Sequence, residues 1–102
     1  MGLAENQLSS LPESFGSLSN LKRLDLNDNQ LSSLPESIGS LSKLEDLYLK
    51  NNRLTTLPDS IGGVKWLHSL YLDGNQLTHL PKTRSKIFLL SLYINEVQGL
   101  FE

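Results

Sequence analysis

Beginning at Leu21 the chain reads LKRLDLNDNQLSSLPESIGSLSK, and at Leu44 the same frame returns as LEDLYLKNNRLTTLPDSIGGVKW. A third copy opens at Leu67 with LHSLYLDGNQLTHLPK, so successive starts lie 23 residues apart. Nearly every apolar residue keeps its place from copy to copy. A period of this length describes one turn of a stack, because so short a unit cannot bury its apolar side alone and needs neighbours. The architecture that follows is a solenoid whose core is a line of stacked leucines.

Within each unit the strand is the easiest element to place. Leu24-Asp25-Leu26, Leu47-Tyr48-Leu49 and Leu70-Tyr71-Leu72 alternate apolar with polar residues, as a strand with one buried face does. A helix is a poor alternative, since Pro12, Pro35, Pro58 and Pro81 would interrupt it once per copy. Strands at constant spacing, all entered in one direction, stack as a parallel sheet with the rest of each unit as the return path. Asn6, Asn29, Asn52 and Asn75 follow the strands, where the chain turns inward. A buried carboxamide there is expected to bond backbone groups of its own coil and of the next one, forming a column. Gly16, Gly39 and Gly62 are expected at a turn that other residues cannot adopt. Phe15, Ile38 and Ile61, with Leu18, Leu41 and Val64, are expected to line the convex side of the core.

Taken in register, these positions resemble the leucine-rich repeat family in its LPxxIGxL form, found in bacterial proteins and in plant and animal Ras-group intracellular ones. The resemblance covers roughly residues 3 to 81. It implies an α/β-type solenoid: a right-handed coil with a short parallel sheet on the concave face, irregular or 3-10 segments on the convex side and little regular helix. It also implies a protein-binding role with no catalysis by the repeats. The expected organisation is one domain over 1–102. It comprises a truncated first repeat at 1–20, repeats at 21–43, 44–66 and 67–88, and a degenerate coil or cap at 89–102.

Both ends depart from the pattern. Met1 falls at the position of Leu24, inside a strand. From residue 82 the frame drifts: Arg84 and Ser85 stand where Ile61 and Gly62 would recur, and the last strand fits best as Leu89, Leu92 and Ile94. The run 87–94 is more apolar than a half-buried strand requires and is the most aggregation-prone window. Uncovered strand edges predict a homo-oligomer formed through uncapped ends. The alternatives are an irregular tail folded over the last leucines, or a module of a longer repeat array.

If the leucines point inward, the residues between them stand outward in rows across the concave sheet. The central row reads Gly2, Asp25, Tyr48, Tyr71 and, one residue out of register, Tyr93. Adjacent tyrosines on an exposed strand face suggest a protein-binding patch, because Tyr offers apolar area with a polar tip. The plainer alternative is strand propensity and packing on cross-strand neighbours. One flanking row holds Arg23, Asp46, Ser69 and Ser91; the other holds Asn27, Lys50, Asp73 and Asn95. Of these, Asp25, Asp46, Lys50 and Asp73 are the candidates for orientation and specificity. Glu5, Asp25, Asp28, Glu45, Asp46, Asp73 and Glu96 against Lys22, Arg23 and Lys50 leave this face at −4, more acidic than the chain at −2. That imbalance points to a ligand with some basic character, or to ordinary solvation. Trp66 precedes a strand at the lateral edge, either exposed there or packed.

Other function classes find little support. No cysteine is present among the 102 residues, so there is no disulfide framework and no thiolate metal site. Together with the absence of a signal-peptide pattern, this leads to a cytoplasmic expectation. No apolar run approaches the roughly 20 residues of a membrane span. Lys82, Arg84 and Lys86 are too few, and lack the interleaved aromatics, for a nucleic-acid footprint. His68 and His79 fall on different sides of one coil, poorly placed to share a metal. Ser9, Ser32, Ser37 and Ser60 recur with the repeat, which marks coil geometry, whereas a nucleophile would occur once. The expectation is a non-catalytic scaffold with no cofactor and a protein as its partner.

Overall fold

The structure is a computed structural model and describes residues 1–78. Tyr93, the last strand over 89–94, the degenerate coil or cap over 89–102, His79 and the basic cluster at Lys82, Arg84 and Lys86 lie outside the described residues. Three strands, β1 (Arg23–Asp25), β2 (Asp46–Tyr48) and β3 (Ser69–Tyr71), form one parallel sheet in that order. Arg23 pairs with Asp46 and Asp46 with Ser69, Leu24 with Leu47 and Leu47 with Leu70, and Asp25 with Tyr48 and Tyr48 with Tyr71. Each partner lies one repeat period along the chain. Gly2 bridges Asp25 on the outer side, in the same register. Backbone bonds continue the ladder beyond the strands, with Leu26 N–H donating to the Tyr48 carbonyl at 2.8 Å and Leu49 N–H to that of Tyr71 at 2.9 Å.

Alternation puts the leucines inside. Leu24, Leu26, Leu47, Leu49, Leu70 and Leu72 have no exposed surface, and Leu31, Leu54, Ile38, Ile61, Leu41 and Val64 close the other sides of the coil. Each fully buried side chain of this size contributes roughly 1.5–3 kcal/mol relative to exposure. The first coil is the exception. Phe15 is half-buried and Leu18 remains 36% exposed, because among the described residues only the coil that follows packs on this turn.

Three 3-10 turns, Glu13–Ser17, Glu36–Ser40 and Asp59–Gly63, make up the side opposite the sheet, and no α-helix occurs among the described residues. Each is preceded by a proline, Pro12, Pro35 or Pro58, with φ of −72°, −68° and −66°. The ring fixes φ where the turn must begin, and the missing N–H costs nothing at a position with no acceptor of its own. The proline carbonyls accept from the N–H groups of Phe15, Ile38 and Ile61 at 3.0, 3.0 and 3.1 Å.

The glycine expectation requires correction. None of Gly16, Gly39 and Gly62 has a positive φ. Gly16 and Gly39 are instead required by close approach between coils: a Cβ would lie 2.5 Å from the Ser37 carbonyl oxygen at Gly16, and 2.5 Å from Ser60 Cβ at Gly39. The left-handed turn falls elsewhere, at Glu5, Asp28, Asn51 and Gly74, with φ of 59°, 60°, 59° and 76°. These four occupy one position of the repeat, directly before the asparagine column. Only the fourth copy carries glycine there, and Asp and Asn are the other residues that tolerate this conformation.

The asparagine column exists, but it reaches backward. Asn52 Nδ2 donates to the Leu26 carbonyl of the preceding coil at 2.9 Å and to its own Leu49 carbonyl at 3.1 Å, while its Oδ1 accepts from Leu31 N–H at 3.1 Å. Asn29 and Asn75 repeat the arrangement toward Leu3 and Leu8, and toward Leu49 and Leu54. Asn6 is exposed and, among the described residues, its side chain bonds only the Leu3 and Ala4 carbonyls of its own coil. The direction follows from where the chain turns in. The carboxamide enters the core beside the strand end of the previous unit, whose last carbonyl and returning N–H lie within reach.

Candidate functional site

The outward residues of three short strands build one exposed face. Parallel pairing sets neighbouring side chains about 4.8 Å apart, and the two tyrosines take up that spacing directly. Tyr48 and Tyr71 stack with ring centroids 4.8 Å apart and planes 3° from parallel. Both are half-buried while the leucines on either side are inside. The expected row of Gly2, Asp25, Tyr48 and Tyr71 is therefore one row in space.

Charges flank the stack in cross-strand pairs. Arg23 Nε lies 3.5 Å from Asp46 Oδ2 on one side, and Lys50 Nζ lies 3.8 Å from Asp73 Oδ2 on the other. Lys50 Nζ is also 5.5 Å from the Tyr71 ring centroid, within cation–π range. His68 lies beside Glu45 at 3.7 Å and Asp46 at 3.9 Å. Exposed pairs of this kind contribute at most about 1 kcal/mol to stability. Their stronger effect is to hold the long side chains in place around the tyrosines.

Two row members differ from the expected outward role. Ser69 is buried, with its hydroxyl 3.3 Å from His68 Nδ1, so it offers little to a ligand. Asn27 serves the backbone: its Oδ1 accepts from Lys50 N–H at 2.8 Å, and its own N–H donates to Asp25 Oδ1 at 3.1 Å. No sequence signal separates such an asparagine from a contact residue, since both stand at an outward position. Trp66 resolves toward exposure, with 66% of its surface free at the lateral edge. Ser60, one of the recurrent serines, donates to the Glu36 carbonyl of the preceding coil at 2.8 Å, in keeping with a geometric role.

Among the described residues no group of three His, Asp or Glu side chains is placed to hold a metal ion. Nor is any helix there long and apolar enough to cross a membrane. The family model for the leucine-rich repeat matches residues 1–54 and again residues 20–77. The chain belongs to the leucine-rich repeat family. A solved leucine-rich repeat protein from Leptospira interrogans is 44% identical, with a TM-score of 0.72, over 83% of this chain and 21% of that one. The chain thus spans about a fifth of the length of that protein. No curated protein matches it. Leucine-rich repeat domains are in general protein-interaction scaffolds without enzymatic activity of their own.

Proposed function

We propose that this leucine-rich repeat chain binds a protein partner through its sheet face, with Tyr48 and Tyr71 as the central contacts and Asp25, Asp46, Lys50 and Asp73 setting orientation. The observation that carries the reading is the stacked, half-exposed tyrosine pair on strands whose other faces are fully buried. Aromatic anchors already held in one arrangement lose little side-chain freedom on binding, which favours affinity per unit area. Three strands and the bridged segment at Gly2 span roughly 15–20 Å, room for only part of the about 800 Å² that one partner gives to a standard interface. Binding by this face alone is accordingly weak, on the order of micromolar. Replacing Tyr48 and Tyr71 together by Ala should abolish partner capture and leave the circular dichroism spectrum unchanged; capture that survives the double substitution refutes the proposal.

A second reading, self-association through the first coil, is favoured by Met1 and Leu18, which are 50% and 36% exposed. Sedimentation showing only monomer at high concentration would remove it.

A further inference from the structure

The row of side chains descends in size across the sheet, from Tyr71 and Tyr48 to Asp25 and then Gly2. One face of the Tyr48 ring is covered by Tyr71. The other is turned toward β1, where the stack would place its next layer about 4.8 Å on. That layer holds the short Asp25 side chain instead of a ring, and at Gly2 a Cβ would meet nothing within 4 Å. The result is a notch with an aromatic wall and a carboxylate floor. We propose that this notch receives the guanidinium of an arginine presented by the protein partner, an inference that rests on the sheet face being the binding surface.

The face itself contains the pattern that the notch leaves incomplete. One step away, Lys50 holds its ammonium between the Tyr71 ring at 5.5 Å and the Asp73 carboxylate at 3.8 Å. Tyr48 and Asp25 supply the same two elements, a ring and an acid, without the cation. Among the described residues Asp25 has no ion-pair partner; its Oδ1 accepts only the Asn27 N–H. Arg23, two residues earlier on the same strand, is directed across the sheet to Asp46.

Geometry selects guanidinium over ammonium. The rings lie 3° from parallel, so a planar group continues the stack with its full face on Tyr48 while its edge N–H groups reach down to the carboxylate. Arginine is the side chain that stacks flat on an aromatic ring and presents a fork of donors in the same plane, whereas a lysine ammonium, although it can lie over a ring as Lys50 does, is a hydrated point charge with neither the flat face nor the planar fork. The acidic surroundings of Asp46, Glu45 and Asp73 favour approach by a cation of either kind, so the discrimination rests in the notch.

The test titrates the full, isotope-labelled chain with Nα-acetyl-arginine amide and, separately, with Nα-acetyl-lysine amide at matched ionic strength. Arginine amide should shift the Tyr48 ring and Asp25 resonances, binding at least about tenfold more tightly than lysine amide. Asp25→Asn keeps the acceptor for the Asn27 N–H and should weaken arginine amide by roughly tenfold, since a charge-assisted bond is lost. Tyr48→Leu should remove the preference for arginine. Equal affinity for the two amides, or affinity unchanged in Asp25→Asn, overturns the notch. Either result leaves the sheet-face reading standing if the Tyr48/Tyr71 double substitution still abolishes partner capture. Capture that persists in the double variant refutes the sheet-face reading itself.

Discussion

Asn52 and Asn6 are the same residue at the same place in the repeat, and they should respond differently to the same substitution. In Asn52→Ala the carbonyls of Leu26, Leu49 and Lys50 each keep another donor: Asn29 Nδ2, Asn75 Nδ2 and Asp28 N–H. The Leu31 N–H has no such reserve. It is buried and donates to Asn52 Oδ1 at 3.1 Å, so truncation leaves it unsatisfied. An orphaned buried donor costs about 1–3 kcal/mol, and the weakened cross-coil bonding adds to that. A total loss of about 2–3 kcal/mol is expected, a lowering of the melting temperature on the order of 10–20 °C for a domain of this size. Asn6 is exposed and, among the described residues, its side chain bonds only carbonyls of its own coil. Water replaces those bonds, and the loss in Asn6→Ala should stay below about 1 kcal/mol. Urea unfolding followed by circular dichroism measures both, and native-state hydrogen exchange at the Leu31 amide locates the defect. Equal losses in the two variants would show that the column does not act by bonding the preceding coil.

Three further outcomes follow from the packing. Leu47→Ala, at a position with no exposed surface between Leu24 and Leu70, should cost about 2–5 kcal/mol by urea titration, enough to unfold much of the population. Gly39→Ala should lose at least about 1–3 kcal/mol in the same assay, because the added methyl collides with Ser60 while the backbone conformation itself tolerates alanine. Glu5→Gly should instead raise stability by up to about 1 kcal/mol, since it relieves a left-handed residue whose N–H bond to the Asn27 carbonyl is unaffected. A loss in the last case would mean that the Glu5 side chain has a stabilising role no contact here suggests.

What could be read directly was whatever depends on spacing alone. A strict period forces equivalent leucines into equivalent sites, so Leu26, Leu49 and Leu72 inside and Tyr48 and Tyr71 outside follow from pattern, as does the parallel register. Prolines at fixed offsets likewise argued against a helix, and the described return path holds only short 3-10 turns, each starting just after one of them. The contact between coils was not legible, because a one-dimensional pattern says that units stack without saying how closely. That distance, not backbone freedom, is why Gly16 and Gly39 are glycine. Nor does the pattern say that Asn29 and Asn52, entering the core where the chain turns in, reach to the previous unit and not the next.

The candidate site divides in the same way. That Asp25, Tyr48 and Tyr71 share a row was determined by the amino-acid sequence, through the two-residue alternation of strands and the 23-residue repeat. Only the tertiary structure decided that the rings lie parallel at 4.8 Å, that Lys50 sits over one of them, and that among the described residues Asp25 has no ion-pair partner such as Asp73 has in Lys50. Those features depend on rotamers chosen by neighbours from other turns of the coil. Such neighbours are distant along the chain and meet only once the stack has formed.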